Sequence, residues 1–137
     1  MMSQKVQMKI NSKIDEIVEK AHKIVEETKI YSKEGLSPTQ VRNLQNMANA
    51  TDSIEALKNY IYYQMGRSRG KEGQKEWLFG GFGKKLLRDL NELGSLLDLD
   101  MLNVGEEERK MAHMQAIRLY LGFLARYYTY KKEASGT

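Results

Sequence analysis

Residues 36–70, LSPTQVRNLQNMANATDSIEALKNYIYYQMGRSRG, hold the only proline of the chain, two helix starts and the densest arginines. Ser37, Pro38 and Gln40 form a helix-start signature. The serine caps free N–H groups, the proline occupies the first helical position, and Gln40 completes a capping box. In the helix that follows, Val41, Leu44 and Ala48 share one face, and Arg42, Asn46 and Asn49 line the opposite one. Thr51 or Asp52, with Glu55, restarts a helix whose core side is Ile54, Leu57, Ile61 and Met65. Tyr60, Tyr63 and Arg67 fall opposite that stripe. Arg67, Arg69 and Lys71 gather at the helix C-terminus, where the dipole favours cations. A turn of a few residues folds the two helices back on each other, which predicts one continuous surface for Arg42, Arg67, Arg69 and Lys71.

The chain has 137 residues, enough for one domain with a real core, and the expected unit is a single helical domain over 1–137 with a disordered tail at 132–137. It contains no cysteine, which excludes disulfides, thiolate metal sites and cysteine nucleophiles and fits a reducing cytoplasm. No signal-peptide pattern opens it, and no apolar run approaches the roughly 18 residues of a membrane span. A soluble, cytoplasmic protein is expected. The net charge of +4 favours a polyanionic partner without demanding one. Its distribution is more telling: Lys and Arg outnumber Asp and Glu by six to three over 37–75 and by six to four over 106–137.

Outside the central stretch, Val6, Ile10, Ile14, Ile17, Val18, Ala21, Ile24 and Val25 predict one amphipathic helix over 4–28. At 1.5 Å per residue it would reach roughly 37 Å, long enough for one end to overhang and meet another molecule. A glycine-rich loop follows Gly70, with Trp77, Leu78, Phe79 and Phe82 as a lid over the core or a docking surface for a neighbouring subunit. Its glycines do not make a phosphate loop, because Leu78 and Lys85 stand where glycine and Ser or Thr are required. Leu86, Leu87, Leu90, Leu93 and Leu97 predict a further helix over 84–97. The acidic turn after it fails the calcium-loop spacing, with Asn103 at the glycine position and Arg109 at the final glutamate position.

The last helix, about 107–131, is apolar on most of its circumference and is expected at the centre of the bundle. Its narrow polar stripe carries Gln115, Arg118, Gly122, Arg126 and Thr129. Arg118 and Arg126 are about 12 Å apart along the axis, two phosphate spacings of an extended strand, with a glycine between them. The alternatives are a solvated strip, or burial of either arginine against Asp89 or Glu92. His22 and His113 belong to no catalytic or metal-ligand pattern, so no catalytic residue, metal or cofactor is expected. Together these readings predict an all-α, single-domain bundle of five principal helices.

Leu36-Ser37-Pro38-Thr39-Gln40-Val41-Arg42-Asn43 and then Tyr62-Tyr63-Gln64-Met65-Gly66-Arg67 resemble the small helical subunit of Csm-type (type III-A) CRISPR interference complexes. That family reads approximately Leu-Thr-Thr-Ser-x-Leu-Arg-Asn, followed by a Tyr-x-x-Gly-Arg helix end. Arg126-Tyr127-Tyr128-Thr129-Tyr130-Lys131-Lys132 is similar to its closing aromatic and basic helix. The resemblance implies a non-catalytic antiviral-defence subunit that stacks in several copies as a filament, beside guide RNA, target RNA and the other Csm-type subunits. Such a subunit would bind the RNA backbone without reading bases. The candidate RNA contacts are then Arg42, Arg67, Arg69, Lys71, Arg118, Arg126 and Lys131, and the candidate partner contacts Tyr63, Trp77 and Phe79. A helix-turn-helix-like DNA-binding module and a protein-only oligomerising adaptor are the alternatives.

Overall fold

Ser37 does what its neighbours predict: its side chain accepts from the Gln40 N–H at 3.2 Å, while Gln40 accepts from the Ser37 N–H at 2.8 Å. The computed structural model describes residues 2–70 and 75–136, the side chains of 69 and 70 excepted. It contains six helices: α1 (Gln4–Ser12), α2 (Ile14–Thr28), α3 (Pro38–Ala50), α4 (Ile54–Gly70), α5 (Phe82–Leu96) and α6 (Glu106–Ala134). Short 3₁₀ turns at Glu76–Gly81 and Asp100–Leu102 complete one all-helical domain, with no strand among the described residues. Among those residues no helix is long and apolar enough to cross a membrane.

The single helix expected over 4–28 is two helices. Lys13 leaves helical geometry at φ −105° and ψ 4°, and its N–H turns back to the Ile10 carbonyl. The break seats α1 on α6 instead of letting it overhang. Val6 and Ile10 are fully buried, Gln115 donates to the Gln7 side chain, and the Ser3 N–H donates to the Glu108 carboxylate. The start of α4 also moves. Ser53, rather than Thr51 or Asp52, caps it by accepting from the Ala56 N–H at 3.0 Å.

Helix α6 is the centre of the bundle, packed against α1, α2, α3 and α5. Met114, Ile117, Tyr120, Leu121, Leu124 and Tyr128 are buried along it. It continues through 132–134, expected as part of a disordered tail, and the Lys132 ammonium donates to the Tyr31 carbonyl at 3.2 Å. The glycine-rich connection closes the other side. Gly80, at φ +59°, lies so close to the Thr28 backbone that a Cβ would approach its carbonyl oxygen to 2.4 Å. Both the dihedral and the contact require glycine.

Exposed carboxylates tie the helices at their edges. Glu26 accepts from the Tyr127 hydroxyl and pairs with Lys131 at 3.1 Å, Glu92 accepts from Lys20, and Glu108 accepts from the Ser3 N–H. These hydrogen bonds hold all three carboxyls below their ordinary value of 4.5. A depressed folded value means that folding favours the ionised form, so the stabilisation is complete above 4.5 and disappears as pH falls through the lower folded values. Thermal melts are therefore expected to be level from neutral pH down to about 5 and to drop below about 4.5. A melting temperature independent of pH below that point would show that these bonds carry no stability.

Candidate nucleic-acid interface

Arginines that a fold needs for itself are distinguished from those free for a ligand by where their guanidinium bonds go. Arg118 belongs to the first group. Its Nε donates to the Ala48 carbonyl at 3.0 Å and its Nη2 to the Thr51 carbonyl at 2.8 Å, with Asp52 at 3.1 Å. Ala48 and Thr51 lie at the C-terminus of α3, where orphan carbonyls and the negative end of the helix dipole attract a cation. Arg118, expected to touch RNA or to be buried against Asp89 or Glu92, instead caps α3. Lys131 is also engaged, paired with Glu26 and lying 5.4 Å from the centre of the Tyr31 ring.

Arg42, Arg67 and Arg126 form the second group. All three are exposed, and among the described residues none has a hydrogen bond or an ion pair. Arg42 stands in the groove between α3 and α6, which Pro38, Gln45, Ala125 and Thr129 also line. Arg126 follows Ala125 on α6, with its guanidinium over the Phe123 ring at 5.7 Å and close above Gly122. A Cβ at Gly122 would meet the Arg126 guanidinium at 3.7 Å, an ordinary contact, so the free arginine and the glycine lie side by side on the stripe. Arg67 lines a different cleft, of about 240 Å³, with Gln40, Gln64, Ser68, Glu76 and Trp77. Arg42 and Arg67, expected on one continuous surface, line separate grooves, since Gln40 and Arg42 are two residues apart on α3, while Pro38 and Gln40 both border a third groove with Glu76. Arg69 and Lys71, the other members of that expected cluster, lie outside the described side chains.

The aromatic candidates separate by burial. Tyr63 is 61% exposed and stacks beneath the Arg67 guanidinium at 5.7 Å. Trp77, expected among the partner contacts, is 1% exposed: Tyr60 meets it edge-on and Phe82 packs against it, while its backbone N–H points to the Ser68 hydroxyl. It is a core side chain that cannot reach a partner from this position. Phe79 is half-buried and its backbone makes the kink before α5, at φ −58° and ψ 127°. Tyr62, not among the residues singled out by sequence, is 58% exposed beside Tyr63. The signal was present: Tyr62 lies one residue off the Ile54, Ile61 and Met65 stripe, on the wet side of α4.

His22 stacks on Tyr127 with ring centres 3.9 Å apart, and His113 Nε2 bonds the Leu90 carbonyl at 2.7 Å. Among the described residues no three His, Asp or Glu side chains are gathered as a metal site. Comparison with known protein families, with curated proteins and with solved structures finds no match for this chain.

Proposed function

We propose that the chain is a non-catalytic helical subunit of a cytoplasmic Csm-type (type III-A) CRISPR effector ribonucleoprotein, assembling in several copies and holding guide or target RNA by its backbone. The observation that carries the reading is the set of exposed arginines without an acidic partner, Arg42, Arg67 and Arg126, each within a segment that resembles that family. Guanidinium groups kept free of intramolecular carboxylates suit phosphate, and their separation over two grooves suits a strand that runs across the surface. Arg118 and Lys131 are left out of the contact set because their charges are used inside the fold.

A salt-titrated binding assay tests this. Single-stranded RNAs of unrelated sequence are expected to bind with similar affinity and a steep salt dependence. Arg42→Glu, Arg67→Glu and Arg126→Glu should each weaken all of them alike and flatten the salt slope by about 0.7 for each phosphate no longer neutralised. Absence of RNA binding, or a strong preference for one duplex sequence, would overturn the proposal.

A further inference from the structure

We infer that the solvent face of α4 is a stacking platform for unpaired bases of single-stranded RNA, built from Tyr62, Tyr63, Gly66 and Arg67. The inference rests on the RNA-binding reading above and goes beyond backbone contact.

Tyr62 and Tyr63 are the most exposed aromatic rings on α4, at 58% and 61%. Gly66 follows Tyr62 by four residues and Tyr63 by three, and Arg67 follows Tyr63 by four, so all four share one face of the helix. Gly66 is the informative member. Inside a helix, glycine is less favourable than alanine, so its presence calls for a reason such as a turn or a close packing contact. Among the described residues Gly66 has neither, for a Cβ there would meet none of their atoms within 4 Å. The missing side chain instead leaves a notch between the two rings and the guanidinium, where a flat group can lie against the helix backbone.

Charge selects the occupant. From Asn59 to Lys71 the chain carries Arg67, Arg69 and Lys71 and no Asp or Glu. An exposed aromatic pair whose own segment carries only basic charge, with Glu76 in the cleft that Arg67 lines, suits a polyanion with π-faces, since arginine and aromatic rings both stack on bases. Arg67 lies over Tyr63 at 5.7 Å, so a nucleotide stacked on the exposed aromatic pair would bring its phosphate beside a guanidinium.

The full chain is titrated with labelled oligouridine and, separately, with inorganic polyphosphate, which has the charge but no bases. Tyr63→Ala is expected to weaken oligouridine binding by about 5- to 150-fold, the range for removing one ring from beneath a stacked base, with the salt slope unchanged and polyphosphate binding unaffected. Gly66→Leu should raise the melting temperature by about 2–4 °C through helix propensity while weakening oligouridine binding. Opposite signs in the two readouts are not produced by a structural role. If the wild-type chain binds RNA and both variants match it, the platform is rejected and the arginine reading stands. If the wild-type chain binds no RNA, both readings fall together.

Discussion

Replacing Asp89 with alanine is expected to lower stability by about 3 kcal/mol, or roughly 9–15 °C in melting temperature. The Asp89 side chain is 2% exposed, on the face of α5 that meets α2 and α6. It accepts from the Tyr120 hydroxyl at 2.6 Å and from Arg88 at 3.1 Å, with the Lys20 ammonium at 3.7 Å. Three helices therefore share one carboxylate. Removing it leaves the Tyr120 hydroxyl, in a fully buried residue, without an acceptor. That orphaned donor is the larger loss, because Lys20 and Arg88 are partly exposed and can turn to water. Tyr120→Phe removes the donor and the group that needs satisfying together, so the double variant should lose less than the sum of the singles, with a coupling of about 1–2 kcal/mol. Burial first, and then the neighbouring Asp89 charge, push the Tyr120 hydroxyl well above its ordinary pKa of 10, so the bond stays intact through neutral pH. Additive losses in a denaturant-unfolding cycle would show that the two side chains act independently.

The position of Asp89 was readable in one respect. It falls within the Leu86, Leu90, Leu93 and Leu97 stripe, on the face that must be buried, and a carboxylate there must have partners. Their identity was not readable, since Tyr120 and Lys20 come from other helices. The same division runs through the fold. The α3 start was legible because a capping box is completed within four residues. The central place of α6 was legible because apolar residues surround most of its circumference.

What failed has physical causes of two kinds. The break at Lys13 lacks both glycine and proline and leaves the apolar spacing almost continuous, so periodicity alone carries one helix through it. Burial of Trp77 bears out the lid over the core against the docking surface, two readings the sequence leaves open because glycines mark irregular backbone without saying which way its aromatic side chains turn. The candidate site was legible as residue types and much less so as geometry. Helical spacing placed Arg118 and Arg126 on one stripe, but whether a cation is free depends on acceptors distant in sequence, and Arg118 finds its acceptors 70 and 67 residues away.

Charge reversal at Arg118 is accordingly expected to act on the fold, with a loss of about 3 kcal/mol, whereas the same change at Arg126 should leave the melting temperature within about 2 °C. Arg118 has two kinds of partner, and magnitude separates them. Asp52 is fully exposed at 102%, so that ion pair contributes little, and Asp52→Ala should cost less than about 0.5 kcal/mol. The carbonyls of Ala48 and Thr51 matter more. They end α3 where it packs on α6, and charge-assisted bonds to them are worth about 1.5–3 kcal/mol each before allowing for the 33% exposure of the arginine. A glutamate at this position removes both donors and sets a carboxylate against the negative end of the α3 dipole. Arg118→Gln keeps a donor without the charge and should fall between the wild type and Arg118→Glu. Thermal melts and RNA titrations on the same variants decide the matter: lost stability with an unchanged salt slope at Arg118, against intact stability with a flatter slope at Arg126, is the expected pair. An Arg118→Glu chain that melts like the wild type yet binds RNA with a flatter salt slope would return Arg118 to the RNA-contacting set and show that α3 does not depend on its cap.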